Sequence, residues 1–115
     1  MRLTQITLCE GPNPLKLSHT LKKSRHLIQS YQYDEVYPNI EYLLKAVRED
    51  HLEYISFKNK LFSIFDHSTR LYARDTTRIN QNHFLQLVEL FYHYRKYFTK
   101  AQQEIIKQYY VRYCV

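Results

Sequence analysis

The sequence predicts an all-α fold, a bundle of four to five helices that forms a single domain over residues 1–115. The chain of 115 residues contains one glycine and three prolines, whereas sheet proteins with many tight turns usually need more glycine. Its composition, 44% hydrophobic and 24% charged residues, is typical of a folded protein. Apolar residues also recur at helical spacing along most of the chain, and this periodicity defines the elements that follow.

The first predicted element is a short N-terminal arm, residues 1–14, which ends in a turn because a glycine and two prolines interrupt any helix there. A first helix follows, from about Leu15 or Ser18 to Tyr31. Its inner face is spaced by three and four residues and consists of Leu17, Leu21, Ser24, Ile28 and Tyr31.

Residues 39–66 predict one long helix. Residues 32–39 separate it from the first helix, and Pro38 marks its start. Its seam alternates spacings of four and three residues, through Ile40, Leu44, Val47, His51, Tyr54, Lys58, Leu61 and Phe65. One period explains the whole span, and a helix of this length would be about 40 Å long. A β-hairpin over residues 52–65 is the alternative, because Tyr, Ile and Phe cluster there.

The chain after the long helix is at first polar. Residues 66–82 are ambiguous, with a short helix around Leu71 as one interpretation. The next helix begins near Asn80 or Asn82 and runs to about Phe98. Because it is apolar over most of its circumference, it is predicted to lie at the centre of the bundle.

A capping box predicts the start of the last helix. Thr99 and Gln102 have the Thr-x-x-Gln spacing in which each side chain bonds the other residue's backbone N–H. The helix runs to about Tyr113 with one apolar and aromatic face, made of Ile105, Ile106, Tyr109, Tyr110 and Tyr113. No repeat or low-complexity linker divides the chain, which agrees with one domain.

The aromatic content favours a small, intracellular, non-catalytic interaction or regulatory module. The chain has twelve Tyr and six Phe, and Tyr and Arg are frequent anchors of protein interfaces. We expect a protein partner, or a second copy in a dimer, to bind the aromatic-rich face of the last two helices. The candidate contact residues are Tyr92, Arg95, Tyr97, Tyr109, Tyr110, Arg112 and Tyr113.

The alternative is a basic nucleic-acid-binding regulator. The formal net charge is +6 and the isoelectric point about 9.3, which favours acidic partners. Two clusters would contact phosphates, one in the first helix and one that repeats every four residues and would form a ridge on a helix. The candidate residues are Lys22, Lys23 and Arg25 in the first cluster and Arg70, Arg74 and Arg78 in the ridge.

A weaker alternative is an RNA-cleaving enzyme. Arg78 and His83 have a spacing that resembles the Arg-x4–6-His element of HEPN ribonucleases, small helical bundles that cut RNA as dimers. The family's element usually has a polar residue after the Arg, where this chain has Ile79. The resemblance covers six residues and implies that Arg78 and His83 polarise and protonate around a scissile phosphate.

Glu89 and His93 are four residues apart and are predicted to be a solvated surface pair.

The other signals for chemistry are negative, so we expect no enzymatic activity, no cofactor and no metal site. One glycine cannot build a glycine-rich phosphate loop, and no His/Cys pattern has zinc-ligand spacing. Cys9 and Cys114 lie near opposite ends of the chain and do not suggest a disulfide framework. Because no apolar run has the length of a signal peptide or a membrane span, a cytoplasmic location without membrane contact is predicted.

Overall fold

The computed structural model describes residues 14–48 and 55–115, and within them the all-α prediction is confirmed. These residues form five α-helices and two short 3₁₀ helices, and none of them lies in a strand. The predicted arm lies outside the described residues, apart from Pro14. The helices are α1 Pro14–Gln29, α2 Tyr33–Arg48, α3 Ile55–Arg74, α4 Gln81–His93 and α5 Lys100–Cys114, with 3₁₀ helices at Thr76–Arg78 and Arg95–Tyr97.

Helix α1 ends in a Schellman motif with an unusual residue in it. The N–H of Gln32 donates to the carbonyl of Leu27 at 2.9 Å, and the N–H of Tyr31 donates to the carbonyl of Ile28 at 3.0 Å. The motif needs a left-handed residue, and here it is Tyr31 with φ of 63°, a position at which glycine is usual. A tyrosine there is strained, so side-chain contacts must compensate.

Helix α2 begins earlier than predicted, because residues 33–38 are helical rather than a break. Tyr33 and Val36 are fully buried and continue the helical spacing toward the N-terminus. Asp34 and Glu35 lie in the first turn, where negative charge complements the helix dipole. Pro38 lies on the exposed side of the second turn, where the helix loses one backbone hydrogen bond but is not broken.

The predicted helix over residues 39–66 corresponds to parts of two helices, α2 and α3, and residues 49–54 between them lie outside the described residues. Its predicted end was wrong, since α3 continues to Arg74. Leu71 and Tyr72 are buried and extend the apolar stripe of α3. The hairpin interpretation is wrong for residues 55–65, which are helical.

Helix α4 is central, as predicted. It packs against α2, α3 and α5, and its buried residues are Phe84, Leu87, Val88, Leu90 and Phe91. It ends at His93 rather than near Phe98, which corrects the predicted boundary. The N–H of Tyr94 is shared between the carbonyls of Leu90 and Phe91, and Phe98 is extended and buried. Leaving the helix thus lets Phe98 point back into the core, with its ring centroid 6.1 Å from that of Phe91.

Helix α5 starts with the predicted capping box, which is confirmed. The Thr99 hydroxyl accepts from the Gln102 N–H, and the Gln102 side chain accepts from the Thr99 N–H, both at 3.2 Å. Only Ile106 of α5 is fully buried. Helices α1 and α5 are both peripheral, because α1 packs on α2 and α3 whereas α5 packs mainly on α4.

Candidate functional site

The aromatic face predicted on the last two helices is largely occupied by contacts within the chain. The rings of Tyr92 and Tyr110 stack at 3.8 Å between centroids and 8° between planes. The Arg95 guanidinium lies 3.9 Å from the Tyr92 centroid. Because Tyr110 covers one side of that ring, Arg95 must cover the other. The result is a three-layer stack that joins α4, the following 3₁₀ helix and α5.

The predicted helix to about Phe98 would include Arg95, and the structure corrects this. Because α4 ends at His93, Arg95 lies beyond the helix and is half-buried. Its Nη1 donates to the carbonyl of Tyr92 at 2.8 Å. The guanidinium is therefore held by a ring face and a helix C-terminal carbonyl, both of which attract cations.

Tyr109 and Tyr113 also pack inward. The Tyr109 ring meets Phe65 edge-on at 5.8 Å, and its hydroxyl lies 3.5 Å from Asp66 Oδ1. The Tyr113 ring meets Phe84 edge-on at 5.0 Å and Tyr72 at 5.8 Å. These contacts attach α5 to the core, so a partner would meet only the remaining edges of both rings.

The last two predicted contact residues lie apart from each other. Tyr97 is half-buried in the 3₁₀ helix after α4, and Lys58 Nζ donates to its carbonyl at 3.1 Å. Arg112 is exposed on α5, with its guanidinium 6.0 Å from the Tyr113 centroid. Near it Val111 is 52% exposed. The predicted face is therefore a packed seam with a small exposed margin around Val111 and Arg112.

The basic cluster on α1 is exposed. Lys22, Lys23 and Arg25 are all at the surface, and α1 contains no acidic residue. None of the three forms an ion pair within the part of the chain that the structure describes. A shallow groove of about 230 Å³ is lined by His19, Lys22, Lys23 and His26. We call these four residues and Arg25 the basic face of α1.

His19 was not among the sequence-predicted site residues. A usable signal was present, because positions 19, 22, 23 and 26 follow the spacing that places residues on one side of a helix. The fixed positive charges were evident from composition, whereas the shared groove depends on the exposure of that side of α1. The arrangement can contact several phosphate groups along one helix length.

The predicted ridge of Arg70, Arg74 and Arg78 does not form, because α3 ends at Arg74 and Arg78 lies in the next 3₁₀ helix. Arg70 pairs with Asp66 at 3.0 Å, and Arg74 pairs with Asp75 at 3.4 Å. Two of the three arginines thus have carboxylate partners, and this region attracts phosphate less than α1 does.

Asp75 connects this region to the strained turn after α1. The Tyr31 hydroxyl donates to Asp75 Oδ2 at 2.9 Å, and the Arg78 guanidinium lies 5.7 Å from the Tyr31 ring centroid. The hydrogen bond from Tyr31 lowers the pKa of Asp75, and Arg74 and Arg78 lower it further. These contacts hold Tyr31 in its left-handed conformation.

The pair that resembles the HEPN element lies on two separate elements. Arg78 contacts the Tyr31 ring, while His83 is half-buried in the first turn of α4, where its backbone N–H donates to Asn80 Oδ1 at 3.1 Å. Ile79 between them is buried. The guanidinium is thus already engaged with a ring of this chain.

An acidic groove between α2 and α4 contrasts with the basic face. It has a volume of about 340 Å³, and its charged or ionisable lining comprises Tyr37, Glu41, Glu89, His93 and Tyr94. Burial raises the pKa of Tyr37, and the carboxylates of Glu41 and Glu89 raise it further. Glu89 and His93 are both exposed, but they form no ion pair among the described residues. The negative charge of Glu41 and Glu89 makes this side unsuitable for phosphate.

No metal site occurs within residues 14–48 and 55–115, since no three His, Cys, Asp or Glu side chains there are placed to hold an ion. In the same residues, no helix combines the length and apolar character needed to cross a membrane.

Burial raises the pKa of the Cys114 thiol, and Glu89 adds to this effect. The thiol is therefore protonated at neutral pH and a weak nucleophile.

Comparison with other proteins does not assign the chain to a family. No protein-family model matches the sequence, and no match was found among the curated proteins or the solved structures.

Proposed function

We propose that this chain is a small non-catalytic module that binds nucleic acid through the basic face of α1. The observation that supports the proposal is that Lys22, Lys23 and Arg25 are exposed on one helix, have no carboxylate partner among the described residues, and have no acidic neighbour along α1. This reverses the order expected from the sequence, because the aromatic residues that favoured a protein partner are mostly packed within the chain.

Electrostatics determine the kind of binding. A helix of 16 residues is about 24 Å long, which matches the span of several consecutive phosphates. Lysine and arginine side chains on its exposed side neutralise phosphates and release counterions, so the affinity should fall steeply as salt rises. His19 and His26 lie beside the lysines in the same groove and donate hydrogen bonds to phosphate oxygens. No base-reading motif is present, so the proposed contact is with the phosphate backbone.

The test compares two triple variants with the same loss of charge. One replaces Lys22, Lys23 and Arg25 with Gln. The control replaces the exposed residues Lys60, Lys100 and Lys107 with Gln, so both variants lose three positive charges. Binding to a DNA duplex and to a single-stranded RNA is measured by fluorescence anisotropy over a range of salt concentrations.

The proposal expects the α1 variant to lose most of its affinity. Its slope of log affinity against log salt should fall by about 2 to 3 relative to the parent chain, since each lost phosphate contact removes about 0.9. The control should keep most of its slope. Equal losses in both variants would show that binding depends only on net charge, and no binding at low salt would end the proposal.

A protein partner or a second copy at the margin of α5 is the second candidate. Val111 is 52% exposed, beside the outer edges of Tyr110 and Tyr113 and the exposed Arg112. This surface is small, and stable interfaces usually bury about 800 Å² on each partner. Sedimentation velocity tests it: a dimer that Val111→Asp dissociates would support this candidate, whereas a concentration-independent monomer would exclude self-association.

A further inference from the structure

A notch between α1 and α3 lies beside the basic face. It has a volume of about 220 Å³ and is lined by Arg25, Gln29, Ser63, Ile64 and His67. We call these five residues the α1–α3 notch. Ile64 is buried and supplies an apolar surface, while the other four bring hydrogen-bonding side chains from both helices.

His67 gives the notch its chemistry. The Nε2 atom of His67 is shielded from solvent and has no hydrogen-bond partner within the described chain. Buried polar atoms nearly always have a partner, and an unpaired one opposes folding. Because the His67 ring also lines the notch, a turn of the ring that brings Nε2 to the cavity would give this nitrogen a partner in a ligand bound there.

Arg25 determines the charge of that ligand. Its side chain is exposed at the rim and forms no ion pair in the described part of the chain. None of the five lining residues is acidic. Asp66 precedes His67 in the chain but pairs with Arg70 at 3.0 Å. With a guanidinium, an amide, a hydroxyl and an imidazole converging and no carboxylate opposing them, the notch is suited to an anion.

We propose that the α1–α3 notch binds one phosphate group. The guanidinium of Arg25 can contact two phosphate oxygens at once, and His67 donates from Nε2 to a third oxygen once its ring turns toward the notch. Gln29 and Ser63, on opposite helices, supply the outer donors. The notch holds a phosphate group comfortably, because its volume is several times the roughly 30 Å³ that one water molecule occupies in the liquid.

The position of the notch connects it to the basic face. Lys22 lies about 60° around α1 from Arg25 and one turn closer to the N-terminus. In this respect the inference rests on the proposed function: the notch holds one phosphate of the bound nucleic acid while Lys22 and Lys23 contact its neighbours. The two proposals remain separable, since the notch can be tested with a phosphate that belongs to no polymer.

The experiment follows the ring nitrogens of His67 by ¹⁵N NMR while inorganic phosphate is added to the full chain, with sodium chloride as the ionic-strength control. We expect a saturable change at His67 Nε2 with phosphate and none with chloride. Arg25→Gln should weaken phosphate binding roughly tenfold, as expected for the loss of charge-assisted hydrogen bonds. Arg25→Lys should recover only part of the affinity, because lysine keeps the charge but loses the two-pronged geometry.

Lys107→Gln is the matched control, since it removes one exposed charge from α5 and should leave the phosphate titration unchanged. Arg25 is itself exposed, so its variants should fold normally. The proposal that the notch binds phosphate would be wrong if the His67 signal were insensitive to phosphate. It would also be wrong if the signal responded equally in the parent chain and in Arg25→Gln.

The outcomes separate the two proposals. If added phosphate shifts the His67 ring-nitrogen signal but the chain binds no nucleic acid, the notch is a site for free phosphate or a small phosphorylated molecule. The proposed function then fails. If nucleic acid binds through Lys22 and Lys23 while His67 does not respond to phosphate, the proposed function stands and the notch is wrong.

Discussion

Helices α1 and α5 are both peripheral, yet the basic side chains of α1 and the tyrosines of α5 are oriented in opposite ways. On α1 the side chains of Lys22, Lys23 and Arg25 are exposed and have no carboxylate partner in the described chain. On α5 the tyrosines are turned against Tyr92, Phe65 and Phe84. The abundance of a residue type therefore misleads about which side chains are exposed on α5, but not on α1. An abundance of tyrosine does not make an aromatic surface when neighbouring elements supply rings for it to pack on.

The largest expected effect tests how α5 is held. Ile106 is the one fully buried residue of α5, and Ile106→Ala should lower the free energy of unfolding by about 2–5 kcal/mol because a cavity remains. Urea denaturation measures the change. Ile105→Ala is the control, as Ile105 is only half-buried and should cost clearly less. If both substitutions lowered the free energy of unfolding equally, Ile106 would not be more deeply buried than Ile105, contrary to the structure.

A Tyr→Phe pair compares a buried tyrosine of α2 with a tyrosine of α5. The Tyr33 hydroxyl, at the start of α2, donates to the buried carbonyl of Ser68 at 2.7 Å. The Tyr113 hydroxyl donates no hydrogen bond in the described chain. Tyr33→Phe should therefore lower the free energy of unfolding by about 1–3 kcal/mol, and Tyr113→Phe should change it by less than about 0.5 kcal/mol. A Tyr113→Phe cost as large as that of Tyr33→Phe would contradict the contrast.

The same residue gives a pH dependence. Burial raises the pKa of Tyr33 above its ordinary value, and the neighbouring Tyr31 adds to the effect. The folded state therefore holds this proton more tightly than the unfolded state, whose tyrosine pKa is about 10. The stabilisation is complete below about pH 10 and is lost as pH rises further. Unfolding by urea between neutral and alkaline pH should show this slope in the parent chain and a smaller one in Tyr33→Phe.

The Tyr92–Tyr110 stack should have a smaller, measurable energy. A double-mutant cycle with Tyr92→Leu and Tyr110→Leu should give a coupling of about 0.5–1.5 kcal/mol. The control cycle pairs Tyr92 with Tyr31, which contacts Asp75 and Arg78 and has no ring contact with Tyr92 in the described chain, and its coupling should be close to zero. A coupling near zero for the stacked pair would mean that α5 is held by Ile106 and its other rings alone.

The smallest expected effect concerns α1. Lys22→Gln with Lys23→Gln should change the free energy of unfolding by less than about 0.5 kcal/mol, because neither side chain has a partner within the described chain to lose. The same double variant should weaken nucleic-acid binding. A large loss of stability would show that these lysines maintain the fold and would weaken the case that their exposure serves a ligand.

Local sequence signals predicted the parts of this fold that depend on local interactions. The capping box at Thr99 and Gln102 needs only neighbouring residues, and the apolar circumference of α4 directly predicted its central place. The end of α4 was not predictable in this way, because its continuation to Phe98 fits the helical period equally well. The helix stops at His93 since an extended Phe98 reaches the core, and that gain depends on the position of Phe91 in the assembled bundle.

In the candidate site too, features that depend on local sequence were predictable and features that depend on tertiary packing were not. The exposed charges of α1 followed from a helical projection, because an acid-free helix with one apolar face has only one way to orient. The α1–α3 notch did not, since it depends on which residues of α3 face Arg25. The break in the arginine ridge was also hidden, because the four-residue spacing of Arg70, Arg74 and Arg78 is preserved although the helix ends before its last member.

The Tyr92–Tyr110 stack has a practical consequence for measurement. The chain has twelve Tyr, six Phe and no Trp, so its near-ultraviolet circular dichroism comes from phenol and phenyl groups alone. Two phenol rings only 3.8 Å apart and nearly parallel are close enough for their electronic transitions to couple. Near-ultraviolet dichroism disappears when tertiary packing loosens, while the far-ultraviolet signal still records the helices. The junction of α4 and α5 therefore contains its own optical probe, which needs no label and no added chromophore.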